Sequence, residues 1–103
     1  MANHSALTEL LSIMQTLRDP NGGCPWDLKQ DFKSIVPHTL EEAYEVADCI
    51  ESGNLNELKN ELGDLLFQIV FYAQLAQEQS LFDFNDVIEQ LNAKLTRRHP
   101  HVF

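Results

Sequence analysis

Apolar residues recur along this chain at spacings of three and four, and no stretch alternates with period two. Leu7, Leu10, Leu11, Met14 and Leu17 fall on one stripe of a first helix, which Asp19-Pro20-Asn21-Gly22-Gly23 terminates. Cys24-Pro25-Trp26-Asp27 follows as a constrained loop, with Asp27 and Gln30 placed to cap a short helical turn. Ser34 is the expected N-cap of a second long helix. Pro37 then falls third in its first turn, where a missing N–H costs no helical hydrogen bond. The helix should run to about Ser52, with Gly53 as a left-handed C-terminal cap. Asn54-Leu55-Asn56-Glu57 has the shape of a capping box and predicts that a third helix starts at once. So short a connection forces the second and third helices to pack antiparallel. The third helix is expected to reach about Gln79. Asp83 caps a fourth, carrying Val87, Ile88, Leu91 and Leu95, which must stop before Pro100. The expected fold is all-α, with four helices.

Length makes this one domain, residues 1–103, large enough for a single core. The third helix strains that limit. From Leu65 to Ala73 only Gln68 is polar, so the segment is apolar on every side, and one small domain seldom covers a whole helix. A second copy packing there is the natural remedy, and a homodimer or higher homo-oligomer is expected. The formal charge of −9 leaves no surplus of Lys and Arg for a broad face that binds a nucleic acid polymer. Met1 to Leu17 has neither a basic start nor a continuous apolar run, so no signal peptide is expected. The strongest apolar stretch is too short to cross a membrane. Cys24 and Cys49 lack metal or redox spacing and read as free thiols of a cytoplasmic protein.

The candidate chemistry lies at mirror-image distances from Gly53. Glu45 and Glu61 are each eight residues from it, and Glu42 and Asp64 are each eleven. An antiparallel hairpin folded at Gly53 sets these pairs level. Glu41 and Glu42 share a broad face with Glu45, while Leu40, Ala43, Tyr44, Ala47 and Ile50 form an apolar stripe roughly opposite it. On the third helix Glu57, Glu61, Asp64 and Gln68 form one stripe that leads into the apolar segment, so Asp64 is expected to be partly buried. Two carboxylates ~5 Å apart repel by roughly 3 kcal/mol at an effective dielectric near ~20. Four facing one another shift their pKa values up or recruit a cation. Hard oxygen ligands with no His or Cys nearby select Mg²⁺, or Mn²⁺ in its place. The fourth helix adds Lys94, Arg97 and Arg98 in its last turns, with Asn92 before them. Metal-bridged carboxylates beside a basic turn suit a polyphosphate.

With these residues in place, the chain resembles the MazG-type nucleoside triphosphate pyrophosphohydrolases over nearly all its length. Glu41-Glu42-Ala43-Tyr44-Glu45 and Glu61-Leu62-Gly63-Asp64 look like the family's EExxE…ExxD signature. All-α dUTP pyrophosphatases and phosphoribosyl-ATP pyrophosphohydrolases share that pattern. Gly23-Cys24-Pro25-Trp26-Asp27 and the ending Arg97-Arg98-His99-Pro100-His101-Val102-Phe103 narrow the resemblance to MazG. It implies a four-helix MazG-like module whose bundle is completed by dimerisation. It also implies Mg²⁺-dependent cleavage of a nucleoside triphosphate between the α and β phosphates. By motif position, Glu42, Glu45, Glu61 and Asp64 would hold the metal, and Glu41 would orient or deprotonate the attacking water. Asn92, Lys94 and Arg98 match the family's N-x-K-x-x-x-R pattern and would contact the triphosphate. Trp26 is a candidate for stacking on the base and Lys29 for a phosphate contact. Many members carry two modules in tandem, in which one copy can hold the catalysis while the other mainly supports assembly. The implied roles are therefore nucleotide-pool house-cleaning by hydrolysis, or dimerisation without turnover.

Overall fold

The computed structural model describes residues 5–103. The first four residues, which the expected 1–103 domain and the reading of the N-terminus both include, lie outside the described residues. Helix α1 spans Ala6–Leu17, α2 Pro25–Leu28, α3 Phe32–Glu51, α4 Leu58–Glu78 and α5 Phe84–Arg98, with no strand among the described residues. The chain is all-α, with four long helices and one short one among the described residues. None of these helices is long and apolar enough to cross a membrane.

The helix starts correct the sequence reading at three places. Asp31, not Ser34, caps α3: its carboxylate accepts from the Ser34 N–H, and the Ser34 hydroxyl accepts from the Asp31 N–H, both at 2.8 Å. This reciprocal pair satisfies two end donors where Ser34 alone satisfies one. Pro37 therefore lies inside the helix, and the Lys33 carbonyl goes without its helical donor. Asp27 does not cap α2 but is buried within it, while the Gln30 amide donates to the Trp26 carbonyl at 2.9 Å. Nor does Asn54 cap α4. Gly53 takes φ +76°, and the Gly53 and Asn54 N–H groups donate to the carbonyls of Ile50 and Cys49. Asn54 is thus spent on closing α3. Residues 54–57 form a turn, and α4 starts at Leu58 behind Glu57, whose side chain makes no cap. Asp83 caps α5 as expected, through a capping box with Asp86.

Helices α3 and α4 form the central antiparallel hairpin. The α3 residues withdrawn from solvent toward α4 are Ile35, Thr39, Glu42, Val46 and Cys49. Their α4 counterparts include Leu58, Glu61, Leu65, Gln68 and Tyr72. Both sets step by alternating threes and fours, the spacing of a two-helix seam. Leu40, Ala43, Tyr44, Ala47 and Ile50 are all exposed, so that stripe faces away from the core of its own chain. On α4, Leu62, Leu66 and Ile69 form a second exposed apolar row.

The core lies at the other end of the hairpin. Met14, Ile35, Val70, Phe71 and Leu75 pack together, flanked by Leu10, Leu11, Phe32, Phe67, Tyr72 and Phe84. Helix α5 contributes no fully buried residue. The radius of gyration, 15.9 Å, exceeds the about 13 Å of a compact chain of this length. Arg18 braces the loop after α1. It grips Glu78 through two of its nitrogens, with Nε to Oε2 at 3.0 Å, donates from Nη1 to the Asp27 and Gln30 carbonyls at 2.6 and 3.3 Å, and lies over the Phe71 ring. Gly23 fits under this loop because a Cβ there would strike the Leu17 and Asp19 carbonyls.

Candidate metal centre

Antiparallel packing of α3 and α4 brings one carboxylate oxygen from each of Glu42, Glu61 and Asp64 within 4.8 Å of one another. Glu42 and Glu61 occupy seam positions and are half-buried. Asp64 is exposed, contrary to the expectation of burial, because the row beside it (Leu62, Leu66, Ile69) has no cover within the chain. Glu45 is exposed and stands outside the trio, although its charge reaches both neighbours. Glu41 is exposed next to Glu42.

The electrostatics follow from this placement. Burial pushes the Glu42 carboxyl up, and the charges of Asp64, Glu61, Glu41 and Glu45 push it further. Burial likewise raises Glu61, helped by Glu45, Asp64 and Glu57. The seam thus crowds negative charge where water is partly excluded. Glu42 Oε2 is buried and has no hydrogen-bond partner. An orphaned carboxylate oxygen beside two further carboxylates is a poor resting state for a protein but a good ligand set for a cation.

The donor set is all oxygen, which fits a hard divalent ion such as Mg²⁺ or Mn²⁺. One sequence statement needs correction: a cysteine does lie nearby. Cys49 feels the charges of Glu61, Glu57, Asp48 and Glu45, and burial is the main cause that holds its thiol protonated. It is buried and stands outside the oxygen cluster, so it presents no thiolate to a metal.

A polar seam continues below the acids. The Thr39 hydroxyl lies 2.6 Å from the Tyr72 hydroxyl and 3.5 Å from Gln68 Oε1. Sequence reasoning did not assign these residues. Their signal was present, since Thr39 is three before Glu42, Gln68 four after Asp64, and Tyr72 four after Gln68. By linking α3 to α4 through side chains next to the acids, they help to set the separation across which the acids face.

The candidate substrate residues are placed less closely. Asn92 and Arg98 are exposed on α5, and Lys94 lines a groove of about 460 Å³ with Phe82, Asp86, Val87, Gln90 and Leu91. The one ion pair among the described residues is Arg18 with Glu78, so no α5 cation is paired with the acidic trio within this chain. Arg97 is exposed in the last turn of α5. Lys29 is exposed at the end of α2. Trp26 is exposed on α2, with its ring against His38 of α3.

Fold and site together define an all-α module that concentrates carboxylates on a central hairpin. The model of the MazG nucleotide pyrophosphohydrolase domain matches residues 30–103, and the chain belongs to that family. The chain is 60% identical over 97 residues to a nucleoside triphosphate pyrophosphohydrolase of Escherichia coli (strain K12), covering 94% of this chain and 37% of that protein. It is 53% identical over 95 residues to the nucleoside triphosphate pyrophosphohydrolase/pyrophosphatase MazG of Thermotoga maritima, covering 92% of this chain and 37% of that protein. The chain therefore spans a little over a third of the length of these curated relatives. Among solved structures it is similar to a mazG-related protein from Thermotoga maritima, with a TM-score of 0.77 and 29% identity over 93% of this chain and 82% of that one.

Proposed function

We propose that residues 1–103 form one module that hydrolyses nucleoside triphosphates between the α and β phosphates, giving the monophosphate and pyrophosphate, with Mg²⁺ as cofactor and Mn²⁺ as a substitute. The observation that carries this reading is the trio Glu42, Glu61 and Asp64, drawn within 4.8 Å around an orphaned Glu42 oxygen. The names of the relatives support the reaction class.

In this reading Glu42, Glu61 and Asp64 hold the metal, and Glu45 joins them from the solvent side. Bound metal supplies charge neutralisation and Lewis-acid polarisation of the triphosphate. Glu41, exposed beside the ligands, accepts the proton of the water that attacks the α phosphorus. The phosphorus–oxygen bond to the β phosphate breaks and pyrophosphate leaves. Asn92, Lys94, Arg98 and Lys29 bind the phosphate oxygens, and Trp26 stacks on the base. The module works as a homodimer in the cytoplasm, in nucleotide-pool house-cleaning. The exposed rows on α3 and α4 and the loose packing of α5 support association, and the free thiols of Cys24 and Cys49 support a reducing compartment.

The test is pyrophosphate release from a panel of canonical and modified nucleoside triphosphates with Mg²⁺. Glu42→Ala and Asp64→Ala should each abolish release while the oligomer persists. Activity that survived both substitutions would exclude this site. No pyrophosphate from any nucleotide would assign the module to dimerisation within a longer protein.

A further inference from the structure

We propose that Trp26 and His38 together form a nucleobase subsite, with His38 as its specificity-determining residue; this rests on the triphosphate reading above. Trp26 is the only tryptophan in the chain and is 48% exposed despite its size. The short helix that carries it is braced. Arg18 donates to the Asp27 and Gln30 carbonyls, and Gln30 donates to the Trp26 carbonyl. A large aromatic face held out on a fixed backbone loses little entropy when a planar ligand covers it.

The indole meets the His38 ring at 5.5 Å between centroids and 78° between planes. Two rings at right angles make a corner, with one flat wall for stacking and one edge beside it. The imidazole nitrogens can hydrogen-bond to a base edge. Stacking on Trp26 is indifferent to which base is present. Reading the edge therefore falls to His38.

His38 also stands close to the acids. His38 precedes Glu42 by four residues on α3, so the two share a face about 6 Å apart along the helix axis. A base in the Trp26–His38 corner would leave its ribose lying along α3 and its phosphates over the acidic trio. The polar seam of Thr39, Gln68 and Tyr72 keeps the hairpin closed between the two ends.

The sole tryptophan makes the subsite its own reporter. The probes are α,β-methylene nucleoside triphosphates, which resist cleavage at that bond, and inorganic tripolyphosphate, each titrated with Mg²⁺. The nucleotide analogues should change Trp26 emission and tripolyphosphate should not. His38→Ala should weaken the analogues about tenfold and narrow the spread between bases, while calorimetry shows tripolyphosphate affinity unchanged. By calorimetry, Trp26→Ala should weaken the analogues about tenfold or more, and Trp26→Phe should recover most of that loss because stacking is retained. Melting curves confirm that each variant folds. An equal loss for both probes in His38→Ala, or analogue binding with no change in Trp26 emission, overturns the subsite alone. If neither probe binds the wild-type chain, the triphosphate reading falls, and the subsite with it.

Discussion

Replacing Glu42 with methionine should stabilise the metal-free protein and at the same time abolish its response to divalent cations. Glu42 sits in the seam between α3 and α4, where its Oε2 is buried without a partner. Its carboxyl is pushed up first by burial and then by Asp64 and Glu61. An unsatisfied buried acceptor costs about 1–3 kcal/mol. Methionine has nearly the same length, carries no charge and adapts to irregular gaps. Because Glu42 is only half-buried, the lower part of that range applies, about 1–2 kcal/mol. For a domain of this size that corresponds to a melting temperature higher by roughly 5–10 °C. Mg²⁺ should act in the opposite sense on the pair. At a hundredfold excess over Kd it adds about 2.7 kcal/mol to the wild type and nothing to the variant. Thermal melts followed by circular dichroism, in EDTA and in MgCl₂ at one protein concentration, measure both effects. A metal-free Glu42→Met protein that melts at or below wild type would refute the reasoning. So would an equal gain from Mg²⁺ in both proteins.

The pH dependence should have two opposed arms. Glu42 and Glu61 are raised in the folded state, so the folded metal-free protein binds protons more tightly than the unfolded chain. Its stability should therefore climb as pH falls through those raised values toward the ordinary glutamate range, and the gain from Mg²⁺ should shrink over the same window. The hydrogen bond from Arg18 holds the Glu78 carboxyl below its ordinary value. That contribution is present above the ordinary glutamate pKa and is lost as pH falls through the lowered one. Urea denaturation across the acid range should show Glu78→Gln removing the acid-side loss alone, and a profile unchanged by that substitution would count against the pairing. Leu66→Asp, on the outer row of α4, should yield a folded monomer by analytical ultracentrifugation. Phe71→Asp should instead unfold the chain, since Phe71 is 0% exposed. Association that survives Leu66→Asp would remove that row from the interface.

The mirror distances about Gly53 anticipated that Glu42, Glu61 and Asp64 meet across the hairpin, but not that Glu45 stands outside them or that a turn at residues 54–57 delays α4 to Leu58. They did not show which face of α3 turns inward. A projection that ranks faces by hydrophobicity points Leu40, Tyr44 and Ile50 toward the core, yet these are the exposed ones. The inward face is Ile35, Thr39, Glu42, Val46 and Cys49, with polar groups at two of its five positions. Local competition hid the helix starts as well. Ser34 and Asn54 are both good caps, but one is the reciprocal partner of Asp31 and the other is consumed in closing α3. Arg18 with Glu78, sixty residues apart, and Trp26 with His38 are meetings made by the tertiary fold, and no local pattern carries them.

That inverted face is itself the strongest physical argument for function. Leucines at 42 and 61 would close the seam with apolar contacts and no repulsion. The chain instead puts carboxylates there and keeps its apolar rows outside, where they do nothing for the isolated fold. Each choice weakens a lone molecule, and in the proposed reading each would be reversed by an outside agent: a cation for the seam, an apolar surface for the rows. Stability must then come from what the module binds as well as from its own core. Adding Mg²⁺ and raising protein concentration should therefore increase the melting temperature independently of one another, and Glu42→Met should remove only the first increase while Leu66→Asp removes only the second. If one substitution removed both increases, cation and surface would act through a single site, and the separation of seam from outer rows would be wrong.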